Sequence, residues 1–409
     1  MERRLFDKFD IVLFLSVITL VTIGLFAVYS ATYASSASKD FFSKQLVFAI
    51  IGLVMVIVLL FIPSKYFLML SYPAYIVSIV LLIAVLIFGK TINGNKSWFY
   101  IAGFGIQPSE FAKVATILAL SNFLHRNIEG RSINSSSMIF KSVLIILLPA
   151  VLIKFQNDTG TTLVFFSFII PLLFWAGLSP FLLFAIVSPV VLVVLAFLNQ
   201  YYFYAGLVCV IIVLILMKNS LWKSALVFAI NVVAGFSVHF LFNKLQPYQQ
   251  HRILAVLDPT TDPLGTGYNV IQSKVAIGSG GLFGKGFLQG TQTQLKFIPE
   301  QWTDFIFCMI GEEFGLIGGM LVILLFVIII LRFVNIATQS RDSFLSFTCI
   351  GIASLILFHL LINVGMTLGI MPVIGIPLPF VSYGVSSLLS FYLMTAIGLN
   401  AYKNRKVFL

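Results

Sequence analysis

Twelve stretches of predominantly apolar residues, most about as long as a helix needs to cross a bilayer, follow one another along this chain and dictate its solvent. They centre near 11–31, 45–62, 66–88, 108–125, 139–155, 160–178, 181–199, 202–217, 221–242, 303–331, 343–366 and 383–401. Only 10% of the 409 residues are charged and 60% are hydrophobic; a water-soluble domain carries about 25% charged residues. A chain this apolar lacks the polar groups to cover its own surface, so lipid must solvate much of it. The expectation is an all-α polytopic membrane protein forming one membrane domain over 1–409. After the Arg3–Arg4 pair the first apolar run is long enough to span, so no cleaved leader is expected.

An even number of spans puts both termini on one side, and the short connections say which. With the ends cytoplasmic, the inner segments hold fourteen Lys and Arg, among them Arg3, Arg4, Lys65, Arg126, Arg131, Arg332, Arg341 and Arg405. The short outer segments hold five: Lys39, Lys44, Lys90, Lys96 and Lys154. Positive residues concentrate inside, so the termini are cytoplasmic. The net charge of +11 is scattered singly between apolar runs and does not form a nucleic-acid groove. Three cysteines inside apolar stretches and four scattered histidines give neither a disulfide framework nor a metal-ligand spacing.

This orientation places 243–302, a polar and glycine-rich connection, outside the membrane. A connection that long in a compact protein is usually functional. It carries Asp258 and Asp262, each before a proline, among Arg252, Lys274, Lys285 and Lys296. Carboxylates in a basic setting suit a general base acting on an anionic substrate; a solvated loop with ordinary turn residues is the plainer alternative. The pair Asp258 and Asp262 would also suit a divalent cation such as magnesium or manganese, although nothing fixes the geometry. The stretch GSGGLFGKG is no nucleotide loop: Ser279 stands where the first glycine belongs, and Gly286 where a Ser or Thr should follow Lys285.

Ionisable residues within or beside spans mark further candidates. Glu110 and Lys113 lie three apart at the start of the fourth span, on one helix face, and either hold helices together or line a polar cavity. Ser109, after Pro108, suits a helix start. Asp158, in KFQNDTGTT, either caps the next helix or faces the same outer side. Glu312 and Glu313 are adjacent, so they cannot share one cavity and at least one must pair or carry a proton. Near the C-terminus, NVGMTLGIMPVIGIPLPFVSYGVSS is dense in Gly and Pro and suggests a re-entrant or gate-like element.

These stretches together, with NGNKSWFYIAGFGIQPSEFAKV and PEQWTDFIFCMIGEEFG, resemble the SEDS family (shape, elongation, division and sporulation) over most of the chain and in the family's order. LDPTTDPLG and GTQTQL favour the elongation member over the division paralogue. The resemblance implies a peptidoglycan glycosyltransferase that polymerises lipid II, releases undecaprenyl pyrophosphate and works with a class B penicillin-binding protein. It implies that Asp258 is the catalytic base, deprotonating the acceptor 4-hydroxyl with inversion at the donor anomeric carbon. Glu110, Lys113 and Asp158 match the family's buried pair and turn aspartate; Arg252, Lys274 and Lys113 are candidates for the diphosphate. The sequence departs from the family pattern at Asn157-Asp158-Thr159-Gly160, at Ser97 before Trp98 and at Val385. The family usually has ten spans, so the extra pair is expected as an inserted hairpin within 180–220. A lipid II flippase and a non-catalytic scaffold for the penicillin-binding protein are the alternatives.

Overall fold

The computed structural model describes residues 8–33, 39–92, 94–101, 104–128, 133–259 and 265–407. Asp262, one of the sequence candidates, lies outside them. Among the described residues, eight helices are long and apolar enough to cross a membrane: α1 (Ile11–Tyr33), α2 (Lys39–Phe61), α3 (Lys65–Phe88), α5 (Ser136–Phe155), α8 (Pro180–Leu198), α15 (Ile306–Gln339), α16 (Ser343–Thr367) and α17 (Val385–Asn404). The remaining expected spans fall on helices that are shorter or more polar. These are α4 (Pro108–Ile128), the broken pair α6 (Thr159–Ser167) and α7 (Ile169–Trp175), α9 (Gln200–Leu216), and α10 (Leu221–Phe236) followed by α11 (Val238–Lys244).

The helices form layers. α16 and α17 are the most enclosed, with 78% of the residues in their apolar windows buried, and α4 packs against both. α15 lies between α16 and α1, while α2 covers α17 and α3 covers α4. α8 is peripheral, with only 11% buried. Its apolar side chains, such as Val190, Val191 and Val194, face outward, as expected of a helix whose solvent is lipid. α8, α9 and α10 enclose a small core of their own around Leu192, Phe203, Val210, Leu214 and Val227, separate from the main one.

Two connections carry regular structure of their own within this all-α architecture. Between 90 and 106 the described residues form a small three-stranded antiparallel sheet, β1 (Lys90–Ile92), β2 (Asn95–Ile101) and β3 (Phe104–Ile106). Trp98, Phe99, Tyr100 and Ile101 form a run of aromatic and branched side chains, the residue types that favour a strand. The connection 243–302 is not an irregular loop either. It carries α12 (Pro247–Leu257), α13 (Thr266–Gly280) and the single turn α14 (Thr291–Gln294).

That connection is fastened to α15 through a break in the helix. Gly315 has φ +66°, ψ −163°, which interrupts the α15 ladder and frees backbone groups on either side. The glycine-rich segment after α13 takes them up. Lys285 N and Gly286 N donate to Glu312 O and Glu313 O, while Leu316 N and Ile317 N donate to Gly281 O and Leu282 O, all within 2.9–3.2 Å. Backbone groups unpaired in an apolar surrounding cost several kcal/mol each, so the exchange is obligatory. Gly284 sits at φ +82° with room for no side chain: a Cβ there would lie 2.1 Å from Glu313 O.

Replacement of Gly284 by Ala is therefore expected to cost about 1–3 kcal/mol from backbone strain alone, with the clash in addition. Thermal unfolding of the purified protein in detergent should show a clearly lower midpoint; an unchanged midpoint would mean that the exchange does not hold the loop.

Candidate active site

The candidate site is built around the start of α4. Pro108 opens that helix, as Pro favours the first turn. Ser109 does not cap it: among the described residues its hydroxyl is buried without a partner. Glu110 and Lys113 pair at 2.9 Å, as the three-residue spacing predicts, and they are 4% and 1% exposed. The pair joins three helices. Ser390 of α17 donates to Glu110 Oε2 at 3.2 Å, and Lys113 Nζ lies 3.4 Å from His359 Nε2 of α16. His359 Nδ1 is 3.0 Å from Pro377 O, a carbonyl that can only accept. The ring proton therefore sits on Nδ1, and Nε2 accepts from Lys113. With its ammonium enclosed and committed, Lys113 contributes field and frame to the site and is not open to direct contact.

Asp158 belongs to the same cluster. Its Oδ1 accepts from Thr161 N at 2.9 Å, so it does cap α6. Its Oδ2 accepts from Thr161 Oγ1 at 2.8 Å and from Gln107 Nε2 at 3.0 Å, which ties it to the residue before α4. Gln107 N in turn donates to Ser386 of α17. Burial pushes the Asp158 carboxyl above its usual range, against the pull of the Thr161 hydrogen bonds, while Glu110 raises it further and Lys113 lowers it. Capping and site membership were posed as alternatives from the sequence; one carboxyl does both.

The connection 243–302 carries the remaining candidates. Asp258 is the C-cap of α12, its amide bonded to Leu254 O at 2.9 Å, and its side chain is exposed. Arg252, on the same helix, lies within electrostatic reach of Asp304, which is itself within reach of Asp158. Lys274, on α13, crosses the backbone of Gly369, where a Cβ would sit 2.7 Å from its Nζ. The structure thus brings Asp158 within electrostatic reach of the Glu110–Lys113 pair. It brings Arg252 within reach of Asp304 and lays Lys274 on the irregular segment 368–384. Lys285 and Glu312 stand apart: they pair at 2.8 Å, and Glu312 also accepts from Gln292 N, Thr293 N and Thr293 Oγ1. Glu313 bonds Ser30 of α1. These two carboxylates hold the loop and α1 to α15.

Sequence reasoning passed over Gln107, His359, Asn363 and Asp304. Gln107 stands directly before the helix carrying Glu110, and that adjacency was a usable signal. The others are single polar residues in apolar surroundings, and their meaning comes from the backbone that folds against them.

The chain matches the family profile described as cell cycle protein, which covers FtsW, RodA and SpoVE, over residues 10–206 and again over 203–407. The chain belongs to this family. The two matched pieces meet within α9, inside the segment where an extra hairpin is expected. Among curated relatives, peptidoglycan glycosyltransferase RodA of Treponema pallidum is 34% identical, covering 94% of this chain and 95% of the relative. Peptidoglycan glycosyltransferase MrdB of Escherichia coli K12 is 32% identical over 93% and 91%, and stage V sporulation protein E of Bacillus subtilis is 35% identical over 91% and 91%. A solved structure described as showing coordination of polymerization and crosslinking by a peptidoglycan synthase complex matches with a TM-score of 0.72 at 28% identity, covering 98% of this chain and 99% of the other. Thermus thermophilus RodA shares the fold, with a TM-score of 0.64 at 24% identity. With its apolar helices, the family member described here is an integral membrane protein.

Removing one partner of a buried ion pair strands the other. Lys113→Met is expected to cost about 3–5 kcal/mol of stability, and adding Glu110→Gln should restore most of it. If the pair serves only to hold helices, the double variant should also keep activity; loss of activity in a stable double variant would show that the site uses the charges.

Proposed function

We propose that this chain is a peptidoglycan glycosyltransferase that joins lipid II disaccharide units into glycan strands during cell elongation, at the outer face of the bacterial cytoplasmic membrane. The observation that carries the reading is end-to-end similarity to relatives named for this activity, RodA and MrdB, at 32–34% identity over more than nine-tenths of the chain. The clustering of Asp158, Glu110, Lys113 and Arg252 near the loop that bears Asp258 supports it.

In this reading Asp258 is the general base. The acceptor sugar's 4-hydroxyl oxygen attacks the anomeric carbon of the donor, and its proton passes to the Asp258 carboxylate. The bond from that carbon to the diphosphate breaks with inversion, and the electron pair leaves on undecaprenyl pyrophosphate. An exposed carboxylate at the end of a helix suits this role, since it must meet an acceptor arriving from outside. Arg252 and Lys274 stabilise the negative charge that develops on the leaving diphosphate, while Glu110, Lys113 and Asp158 form the wall beneath. Both termini are cytoplasmic in this reading, which the distribution of Lys and Arg supports. A class B penicillin-binding protein crosslinks the strand; similarity to a synthase complex that couples polymerization to crosslinking supports such a partner.

The test is polymerisation of labelled lipid II by the purified full chain with its penicillin-binding partner. Asp258→Asn is expected to lower the rate by about 10²–10⁴, the usual contribution of a positioned base, with an unchanged melting temperature. Equal polymer from wild type and variant would remove Asp258 from the mechanism. No polymer from either, with lipid II crossing vesicle membranes, would favour a flippase.

A further inference from the structure

The irregular segment 368–384 has a carboxyl pressed against it that the mechanism above does not use. Asp304 lies in the turn before α15. Its Oδ2 is 3.1 Å from where a Cβ at Gly375 would be, and Gly375 has φ +79°, so only glycine leaves this space open. Its backbone carbonyl is held by Asn363 Nδ2 of α16 at 2.9 Å, which fixes the turn. Its carboxyl makes no hydrogen bond to the described residues, although the group is only partly accessible. A carboxyl enclosed this far without a partner is costly unless a ligand completes it or it carries a proton.

Its surroundings identify the ligand class. Glu300 of the same turn, Arg252 of α12 and Asp158 before α6 are the charged groups that act on it. Lys274 of α13 lies along the same irregular segment, over Gly369. His359 of α16 is turned away, toward Lys113 and Pro377. Asp304 is therefore within electrostatic reach of Arg252, and the segment that packs against it at Gly375 also carries Lys274 over Gly369.

We propose that Asp304 lines the subsite for the diphosphate of the lipid-linked donor and works there in its protonated form, donating a hydrogen bond to a non-bridging diphosphate oxygen. The inference rests on the glycosyltransferase reading and extends it to a residue that touches substrate. Asp304 keeps its proton throughout. Its hydrogen bond strengthens as the bond to the anomeric carbon breaks and charge gathers on the diphosphate. Burial pushes its carboxyl up to about 7; Glu300 adds to the rise, Arg252 opposes it and Asp158 adds again. A carboxyl raised in this way is a donor below about 7 and an anion above it. Diphosphate binding is thus favoured at lower pH and lost as pH rises through about 7, where the ionised group would repel the ligand.

The experiment measures KM for labelled lipid II from about pH 6 to about pH 8.5, using the full chain with its penicillin-binding partner. Wild type should show KM rising about tenfold across the upper part of this range, the size of one charge-assisted hydrogen bond. Asp304→Asn keeps a neutral donor, so its KM should stay within about threefold of the wild-type acid value and remain flat with pH. Asp304→Ala should raise KM about tenfold at all pH values. An alkaline rise retained in Asp304→Asn overturns the proposal, as does an Asp304→Ala variant with wild-type KM. If Asp304→Ala does not accumulate, the Asp304→Asn profile decides alone. Thermal stabilisation by undecaprenyl pyrophosphate gives a readout independent of turnover: it should fade above about pH 7 in wild type and persist in Asp304→Asn. A wild type that makes no polymer sinks the glycosyltransferase reading, and this stabilisation then still decides whether Asp304 meets a diphosphate.

Discussion

The break in α15 at Gly315 governs how the connection 243–302 is attached to the helices. A helix surrounded by apolar groups cannot leave carbonyls and amides unpaired, so interrupting it creates a demand that only another backbone can meet. The segment after α13 meets it, running beside 312–317 and exchanging four hydrogen bonds. This fixes the C-terminal end of α13, and with it the direction in which Lys274 leaves that helix. Glu312 then finishes the attachment by accepting from the amides that open α14 and from Lys285. The connection 243–302 is thus anchored at its C-terminal half, while Asp258 ends α12 with its side chain exposed. Such a division suits a site in which charge must be held in place and one carboxylate must meet an incoming acceptor.

The same demand operates at 368–384, where 17 residues run without regular structure between two largely buried helices. Polar side chains planted on those helices and their neighbours supply the partners. Asn363 donates to Ile376 O, Gln45 of α2 donates to Ser382 O, and His359 donates to Pro377 O. Tyr383 N donates to Trp302 O, which ties the segment to the turn carrying Asp304. His359 connects this scaffold to the ion pair, since its second nitrogen accepts from Lys113. Backbone satisfaction and site electrostatics are therefore one network. Substitutions at Asn363 or Gln45 would shift the wall of the cleft without touching any charged group.

The helices α8–α10 pack chiefly on one another. Their apolar side chains meet in a separate small core, and Asn231 Nδ2 bonds Ser188 Oγ within it at 2.9 Å. This three-helix unit meets the main bundle chiefly through α7. Because the unit packs on itself, the helices that bear the candidate site need not adjust to it.

Much of this architecture was legible before any coordinates, for a physical reason. A span announces itself by hydrophobicity alone, and Glu110–Lys113 by a spacing that any helix converts into contact. Asp158 could be read as a cap because capping is local. What stayed hidden was set by tertiary contact. The strands between 90 and 106 are short and lie among turn residues, so the run Trp98–Ile101 gave no period to read. α12 and α13 have mixed composition and owe their form to the bundle beneath them. The glycines of GSGGLFGKG lack the spacing of a nucleotide loop, and the task the structure gives them depends on a break in a helix some thirty residues later. Asp304 is the clearest case. It shares no motif with Arg252, which lies 52 positions earlier, or with Asp158, and it sits beside aromatic residues that suggest only the start of a span. Its environment exists only once α12, the turn before α6 and the segment around Gly375 have closed on it. No pattern in the primary structure carries that convergence.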